Sequence, residues 1–248
     1  MENEALRPAS SESPALFMYT FYPKSKFFQK VDTFWWSYHL LDKHSDLFET
    51  YNHLVLRLNM PRMSEVRFDA ILGNEVFADR RFSLSGWRVR GYTQVLKQLY
   101  LEGGLRRSNR IYYDSESPFQ GRGVTADLYL LFQPFDKLST SVGISYYDFI
   151  RSSDGEKIYD YTIWRSRTTF QVNRFLFFRG IIEYNNYWKR LSADLLASFT
   201  YIPGTVIYLG YGSINEKIRW QENDYVPADD YLQIRKSFFF KASYLWRF

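Results

Sequence analysis

Hydrophobic and polar residues alternate along most of this chain. The last segment shows it most cleanly: Phe238, Phe240, Ala242, Tyr244, Trp246 and Phe248 form one wholly apolar set. Phe239, Lys241, Ser243, Leu245 and Arg247 lie between them as a mostly polar set. A period of two sustained over 238–248 predicts an extended strand, because a helix would mix the two sets on one face. The pattern recurs upstream. Leu191, Ala193, Leu195, Ala197, Phe199 and Tyr201 oppose Ser192, Asp194, Ser198 and Thr200. Leu176, Phe178, Ile182 and Tyr184 oppose Arg179, Glu183 and Asn185, and Leu54, Leu56 and Leu58 oppose His53 and Arg57. Strands are therefore expected near 31–42, 47–58, 64–78, 82–94, 97–112, 122–133, 138–150, 158–172, 175–188, 191–201, 205–220 and 231–248, with a further one at 14–22. Strands in globular domains favour about 5–6 residues, whereas a tilted strand crossing a bilayer needs about 9–11. Most of the segments fit the second length.

The links between segments carry a separate signal. Reading back from the C-terminus, an acidic loop at 221–230 precedes a tight Pro203-Gly204 turn, short links at Lys189-Arg190 and Asn173-Arg174, and a longer loop at 152–157. Beyond these lie a short link at 134–137 and a long one at 114–121. Long and short links roughly alternate, as in outer-membrane barrels with terse turns on one side and longer loops on the other. The uncharged stretch 195–215 has the length of a transmembrane helix. Pro203-Gly204 at its centre, with Gly210 and Gly212, predicts two strands about a turn instead.

Aromatic residues make up 20% of the chain and gather toward strand ends. Tyr146, Tyr147, Phe149, Tyr159, Tyr161, Trp164, Tyr184, Tyr187 and Trp188 lie toward the long-loop side. Phe132, Phe135, Phe170, Phe175, Phe199, Tyr201, Trp246 and Phe248 lie toward the other. Rings with a polar tip suit a membrane interface, and two such girdles flank the apolar band of a membrane barrel. Together these features predict an all-β fold: an antiparallel transmembrane β-barrel of about twelve or more long strands.

Composition narrows the function classes. With 46% hydrophobic residues the chain is not disordered, and with no cysteine it has no disulfide scaffold, thiolate metal site or cysteine nucleophile. A mean hydropathy of −0.38 and scattered charge argue against a helical membrane protein. The 32 basic residues are dispersed among 27 acidic ones, so no positive stripe for nucleic acid is expected.

If the apolar faces meet lipid, the opposite faces point inward. They carry Arg57, Arg67, Asp69, Asp127, Arg165, Arg167, Arg179, Glu183, Asp194, Lys241 and Arg247. Mixed signs predict a hydrated, ion-paired lumen. Within it Arg165, Arg167, Arg179, Glu183 and Asp194 are the expected ligand-lining residues, the arginines as attractors of anions. The histidines are His39, His44 and His53, and no HExxH, GxSxG or P-loop motif accompanies them. No catalytic residue, cofactor or metal site is therefore expected. Glu183 and Asp194 on adjacent strands have the makings of a glycosidase carboxylate pair, but a lumen salt-bridge role is favoured. Glu222, Asp224, Asp229 and Asp230 read as solvated loop charge.

Three segments carry a family resemblance: RSRTTFQVNRFLFFRGIIEYN (165–185), LLASFTYIPGTVIYLGYG (195–212) and FFFKASYLWRF (238–248). They resemble the closing strands of a bacterial outer-membrane family with an N-terminal carbohydrate-binding family-9-like domain, followed by domain of unknown function 5916. The resemblance is most specific over 165–248 and reaches back to about residue 82. It implies a location in the outer membrane of a Gram-negative-type cell, with the lipid bilayer and lipopolysaccharide as surroundings. It also implies recognition of the strand ending in Phe248 by barrel-assembly machinery, and a carbohydrate ligand. Members of that family are longer and start with a signal peptide and the sugar-binding module. Here 1–13 reads as a polar tail without either feature, before a barrel domain at 14–248, so the chain is expected to be the C-terminal part of a larger barrel or a truncated relative, with a complete twelve-stranded barrel as the alternative. The expected function is a pore, transport or surface-anchoring component linked to carbohydrate handling. The alternative is a barrel-embedded hydrolase of lipid or glycan using His53 or Glu183.

Overall fold

A computed structural model describes residues 14–42, 46–202, 204–222 and 224–245. Among these every regular element is a strand: β1 (Ala15–Phe21), β2 (Lys30–Asp42), β3 (Leu47–Met60), β4 (Ser64–Phe77), β5 (Arg80–Ser83), β6 (Gly86–Leu96) and β7 (Leu99–Tyr112). They continue with β8 (Phe119–Phe135), β9 (Leu138–Arg151), β10 (Lys157–Gln171), β11 (Leu176–Asn185), β12 (Arg190–Ile202), β13 (Thr205–Gln221) and β14 (Asp224–Ser243). Apart from β5, which pairs with β4 alone, the strands follow one up-and-down path from β1 to β14 in which β4 is followed by β6. Among the described residues no pairing joins β1 to β14. The chain divides into two compact units. The first comprises Met1–Thr93, Glu102–Ala126 and Tyr147–Asp160, the second Gln94–Leu101, Asp127–Tyr146 and Tyr161–Phe248.

Directly paired residues of an antiparallel ladder project on the same side, so the register sorts side chains into faces. In the first unit Phe17, Trp35, Leu54, Ala70 and Trp87 stand opposite one another across five strands. The next row on that face is Tyr19, Thr33, Leu56, Phe68 and Val89. The other face carries Thr20, Asp32, Arg57, Arg67 and Arg90 in one row, then Met18, Phe34, Val55, Asp69 and Arg88. In the second unit one face holds Phe170, Phe178, Ala197, Leu209 and Phe240, and the other Arg167, Ile181, Asp194, Gly212 and Ser237. The alternation read from the sequence is thus a real segregation of faces.

The apolar faces are uncovered. Leu54, Phe68, Trp87, Phe178, Leu195, Leu209 and Phe240 are all exposed. Among the described residues only Val55, Val76, Phe82, Ile111 and Phe149 are buried hydrophobics. No second layer and no helix covers these faces among the described residues.

Three segments differ from expectation. The strand expected at 82–94 starts earlier and bends. Ala78 and Asp79 take positive φ (47° and 55°) in a two-residue hairpin turn, which lets β5 return along β4. The path bends at Leu84–Ser85 before β6 resumes in the same register on β4. Gly86 is required there, because a Cβ would stand 2.4 Å from the Ser108 Cβ. The acidic loop expected at 221–230 is mostly strand. Glu222 at φ 49° makes a tight turn, and β14 runs back from Asp224 with Trp220 packed on Tyr225 at 4.8 Å. Phe149, expected in an aromatic girdle, is instead 2% exposed and packs among Tyr112, Phe119 and Tyr159. The tail at 1–13, His44, Trp246, Arg247 and Phe248 lie outside the described residues.

Candidate functional site

The chemistry of both units lies on their polar faces. In the second unit β10, β11 and β12 bring all five expected ligand-lining residues onto one face. Arg165 stands directly opposite Glu183, Thr169 opposite Arg179, and Ile181 opposite Asp194, with Arg167 paired to Ile181. Arg165 Nη1 and Glu183 Oε2 are 3.8 Å apart, a half-exposed ion pair. Glu183 therefore faces an arginine, while Asp194 lies two positions along beside Gly212. The carboxylate pairing considered from the sequence is replaced by this ion pair.

A cavity of about 450 Å³ opens over that face, lined by Arg179, Asp194, Tyr208, Ser237, Phe239 and Lys241 among others. Two glycines of β13 shape it. A Cβ on Gly210 would sit 2.0 Å from the Phe239 ring, and one on Gly212 would sit 2.9 Å from Asp194 Oδ1. Their bare backbone lets an aromatic ring and a carboxylate lie close against the strand. Tyr208 and Lys241, which the sequence reading of this face did not combine, stand opposite each other. Two cations, one carboxylate and two phenols, Tyr208 and Tyr211, share this cavity with Ile181, Leu195, Leu196 and Phe239.

The polar face of the first unit is more tightly bonded. Asp69 is buried and accepts hydrogen bonds from Arg67 Nε at 2.9 Å and Arg67 Nη2 at 2.7 Å. His53 Nε2 lies 2.8 Å from the same carboxylate oxygen. Asp32 accepts from Thr20 at 2.7 Å, pairs with Lys30 at 3.0 Å and accepts from Asn59. At the strand ends Glu49 accepts from the Val76 backbone N–H at 2.9 Å. The Gln120 amide serves as a substitute strand neighbour at the β5 bend, accepting from Ser83 N and donating to Ser83 O.

This geometry bears on the hydrolase alternative. Ser37 Oγ lies 3.4 Å from His39 Nε2, but that pair shares the face of Trp35 and Leu54. His53 and Asp69 occupy the opposite face, with the acid engaged by Arg67. The sheet thus separates the serine–histidine contact from the histidine–acid contact, whereas a nucleophilic triad needs all three groups in one chain of hydrogen bonds.

Loops at the strand ends add a second cavity, of about 880 Å³, lined by Arg80, Arg81, Tyr112, Asp114, Phe119 and Arg151 among others. Asp114 is held below the usual carboxylate range by the backbone N–H groups of Ser117 and Glu116. Asp154 is lowered by the Glu156 N–H and then by Arg151, whose guanidinium stacks 4.7 Å from the Phe119 ring. Among the described residues no group of histidines and carboxylates has the arrangement of a metal site.

No protein-family model matches the chain, and no curated protein matches it. Among solved structures, a monoaromatic hydrocarbon channel, CymD, is similar at a TM-score of 0.35 and 8% identity, over 83% of this chain and 81% of that one. The toluene transporter TbuX of Ralstonia pickettii is similar at 0.32 and 11%, over 83% of this chain and 64% of that one. A FadL homologue of Pseudomonas aeruginosa gives 0.34 and 13%, over 78% and 62%. These are likenesses of strand layout at low identity, and they assign no residue and no ligand to this chain.

Proposed function

We propose that this chain forms the membrane-spanning sheet of a bacterial outer-membrane β-barrel and acts in transport, its polar face providing the path or docking surface for solutes. The observation that carries this reading is the segregation of faces along strands of 10 to 20 residues. One face is rich in large apolar side chains on which nothing packs among the described residues, and the other holds hydrogen-bonded ion pairs around the buried Asp69. Fully burying a Leu, Ile, Val, Phe or Met side chain is worth about 1.5–3 kcal/mol. Leaving a face of such residues half wet therefore forfeits on the order of 10 kcal/mol, comparable with the whole stability of a domain. Hydrocarbon tails remove that cost, and a sheet closed on itself or by further strands satisfies every backbone hydrogen bond in lipid.

The polar face of the second unit presents Arg165, Arg167, Arg179 and Lys241 against Glu183 and Asp194, a cationic excess that favours anions. Carbohydrate handling rests on the sequence resemblance alone. The test is to fold the full chain into detergent and ask for a band whose gel mobility changes on heating, then to measure conductance in planar bilayers. The reading expects a heat-modifiable species and an anion-selective current that Arg179→Glu shifts toward cations. A chain that stays monomeric in water without detergent overturns it.

A further inference from the structure

The row Asp32–Arg57–Arg67–Arg90 is electrostatically unusual. Three arginines stand directly opposite one another on three hydrogen-bonded strands, where like charges repel. The nearby carboxylates balance Arg67, through Asp69, but leave Arg57 and Arg90 short of a close partner. Asp69 is engaged by Arg67 and His53, and Asp32 by Thr20, Lys30 and Asn59. Arg57 reaches Asp32 only at 4.0 Å and Glu65 only at 3.9 Å, and its buried Nε has no hydrogen-bond partner among the described residues. Among the described residues Arg90 has no ion-pair partner. A cavity of about 280 Å³ lies beside the row, lined by Lys30, Arg57 and Arg67, by Asp32 with its partner Thr20, and by Met18, Phe34 and Val55.

We propose that this cavity binds an organic monoanion with a compact apolar body. Its carboxylate sits on Arg57 and on the Nη1 of Arg67, the nitrogen that Asp69 does not engage, with Arg90 adding charge from the next strand, and its hydrocarbon part rests against Met18, Phe34 and Val55. Planar guanidinium forks match a carboxylate in a bidentate fashion, so the anion supplies the missing countercharge at the row. The apolar wall discriminates against small hydrated anions, and the arginine row discriminates against neutral hydrocarbons. The assignment deepens the transport role by naming a ligand class, and it rests on the polar face being the watered side of the sheet.

The test is a calorimetric titration of the full chain folded in detergent micelles, with benzoate, benzyl alcohol, acetate and inorganic phosphate as separate probes. Benzoate is expected to bind at least tenfold more tightly than each of the other three. Arg90→Gln is expected to weaken benzoate at least fivefold, while Arg90→Lys, which keeps the charge, restores most of that loss. Heat-modifiability of each variant reports folding separately, so a misfolded Arg90→Gln leaves the Arg90→Lys comparison and the four-probe ranking to decide. Benzyl alcohol or phosphate binding as tightly as benzoate overturns the proposal, as does benzoate binding unchanged in a folded Arg90→Gln. Failure of the titration in a chain that folds into micelles removes this site and leaves the barrel standing, whereas a chain soluble without detergent removes the barrel reading itself.

Discussion

Asp69→Asn is the most informative single change on the polar face. Asp69 is only 7% exposed, and it holds Arg67, whose side chain is 18% exposed, through both Nε and Nη2. It also holds His53 at 2.8 Å. Hydrogen bonds to a charged group contribute about 1.5–3 kcal/mol each, and removing one member of a buried pair costs about 3–5 kcal/mol because the other charge is left unmatched. Asparagine keeps one acceptor oxygen and the volume, and Arg67 retains some contact with water. The expected loss is therefore about 2–4 kcal/mol. The assay is equilibrium unfolding by urea in detergent micelles, followed by tryptophan fluorescence, with the midpoint falling and the slope unchanged. A companion variant, Arg67→Met with Asp69→Leu, replaces the pair with apolar groups and is expected to recover most of the loss. A midpoint change worth under about 0.5 kcal/mol for Asp69→Asn would mean that the network is hydrated rather than structural, which refutes the reasoning.

Four further outcomes follow from the geometry. Gly121→Ala places a methyl 2.2 Å from the Phe149 ring, which is buried and cannot retreat, so it should destabilise by about 1–3 kcal/mol in the same unfolding assay. Gly143→Ala, with nothing nearer than 3.9 Å, should move the midpoint by under about 0.5 kcal/mol. Tyr113 lies past the end of β7, and its hydroxyl donates to Glu75; burial first and then this carboxylate push the phenol up to about 12. A phenol raised in the folded state adds stability that is complete below its ordinary value of 10.0 and is lost as pH rises through about 12. Ultraviolet titration should show a late-ionising tyrosine that Tyr113→Phe abolishes. Glu183→Gln breaks a pair whose side chains are 60% and 38% exposed, so stability should change by under about 0.5 kcal/mol while anion selectivity of the current rises.

The strands were legible because period two is a local property of the chain and needs no tertiary information. Faces could be assigned from Leu191 to Tyr201 on residue type alone, and the register confirms them as far as Thr200, beyond which Tyr201 falls in a bulge. The hairpin at Glu222 was not legible: a run of Glu222, Asp224, Asp229 and Asp230 looks like a solvated loop. The Trp220–Tyr225 ring contact, which holds it as strand, exists only once the turn has formed. Phe149 looked like an interfacial aromatic for the same reason, since its partners Tyr112 and Phe119 come from distant positions.

Candidate residues followed the same division. Arg165, Arg167, Arg179, Glu183 and Asp194 were found because adjacent hairpin strands with short links must place like parities together. Arg90 was missed. Its place opposite Arg67 depends on the two-residue turn at Ala78–Asp79, far along β4, and on the register surviving the bend at Leu84–Ser85. The signal available was the alternation Arg88, Arg90 beside Arg67, Asp69, which becomes meaningful only with the register in hand.

The central claim, that one face of each strand meets lipid and the other water, is tested most directly by single-cysteine labelling, because the chain has no native cysteine. Cysteines at Asp194, Leu195, Leu196 and Ala197 of β12, each carrying an environment-sensitive fluorophore in lipid vesicles, should alternate. Positions 195 and 197 should be quenched by brominated acyl chains, and positions 194 and 196 by aqueous iodide. Quenching by iodide at all four positions, with no effect of brominated lipid, would contradict the account.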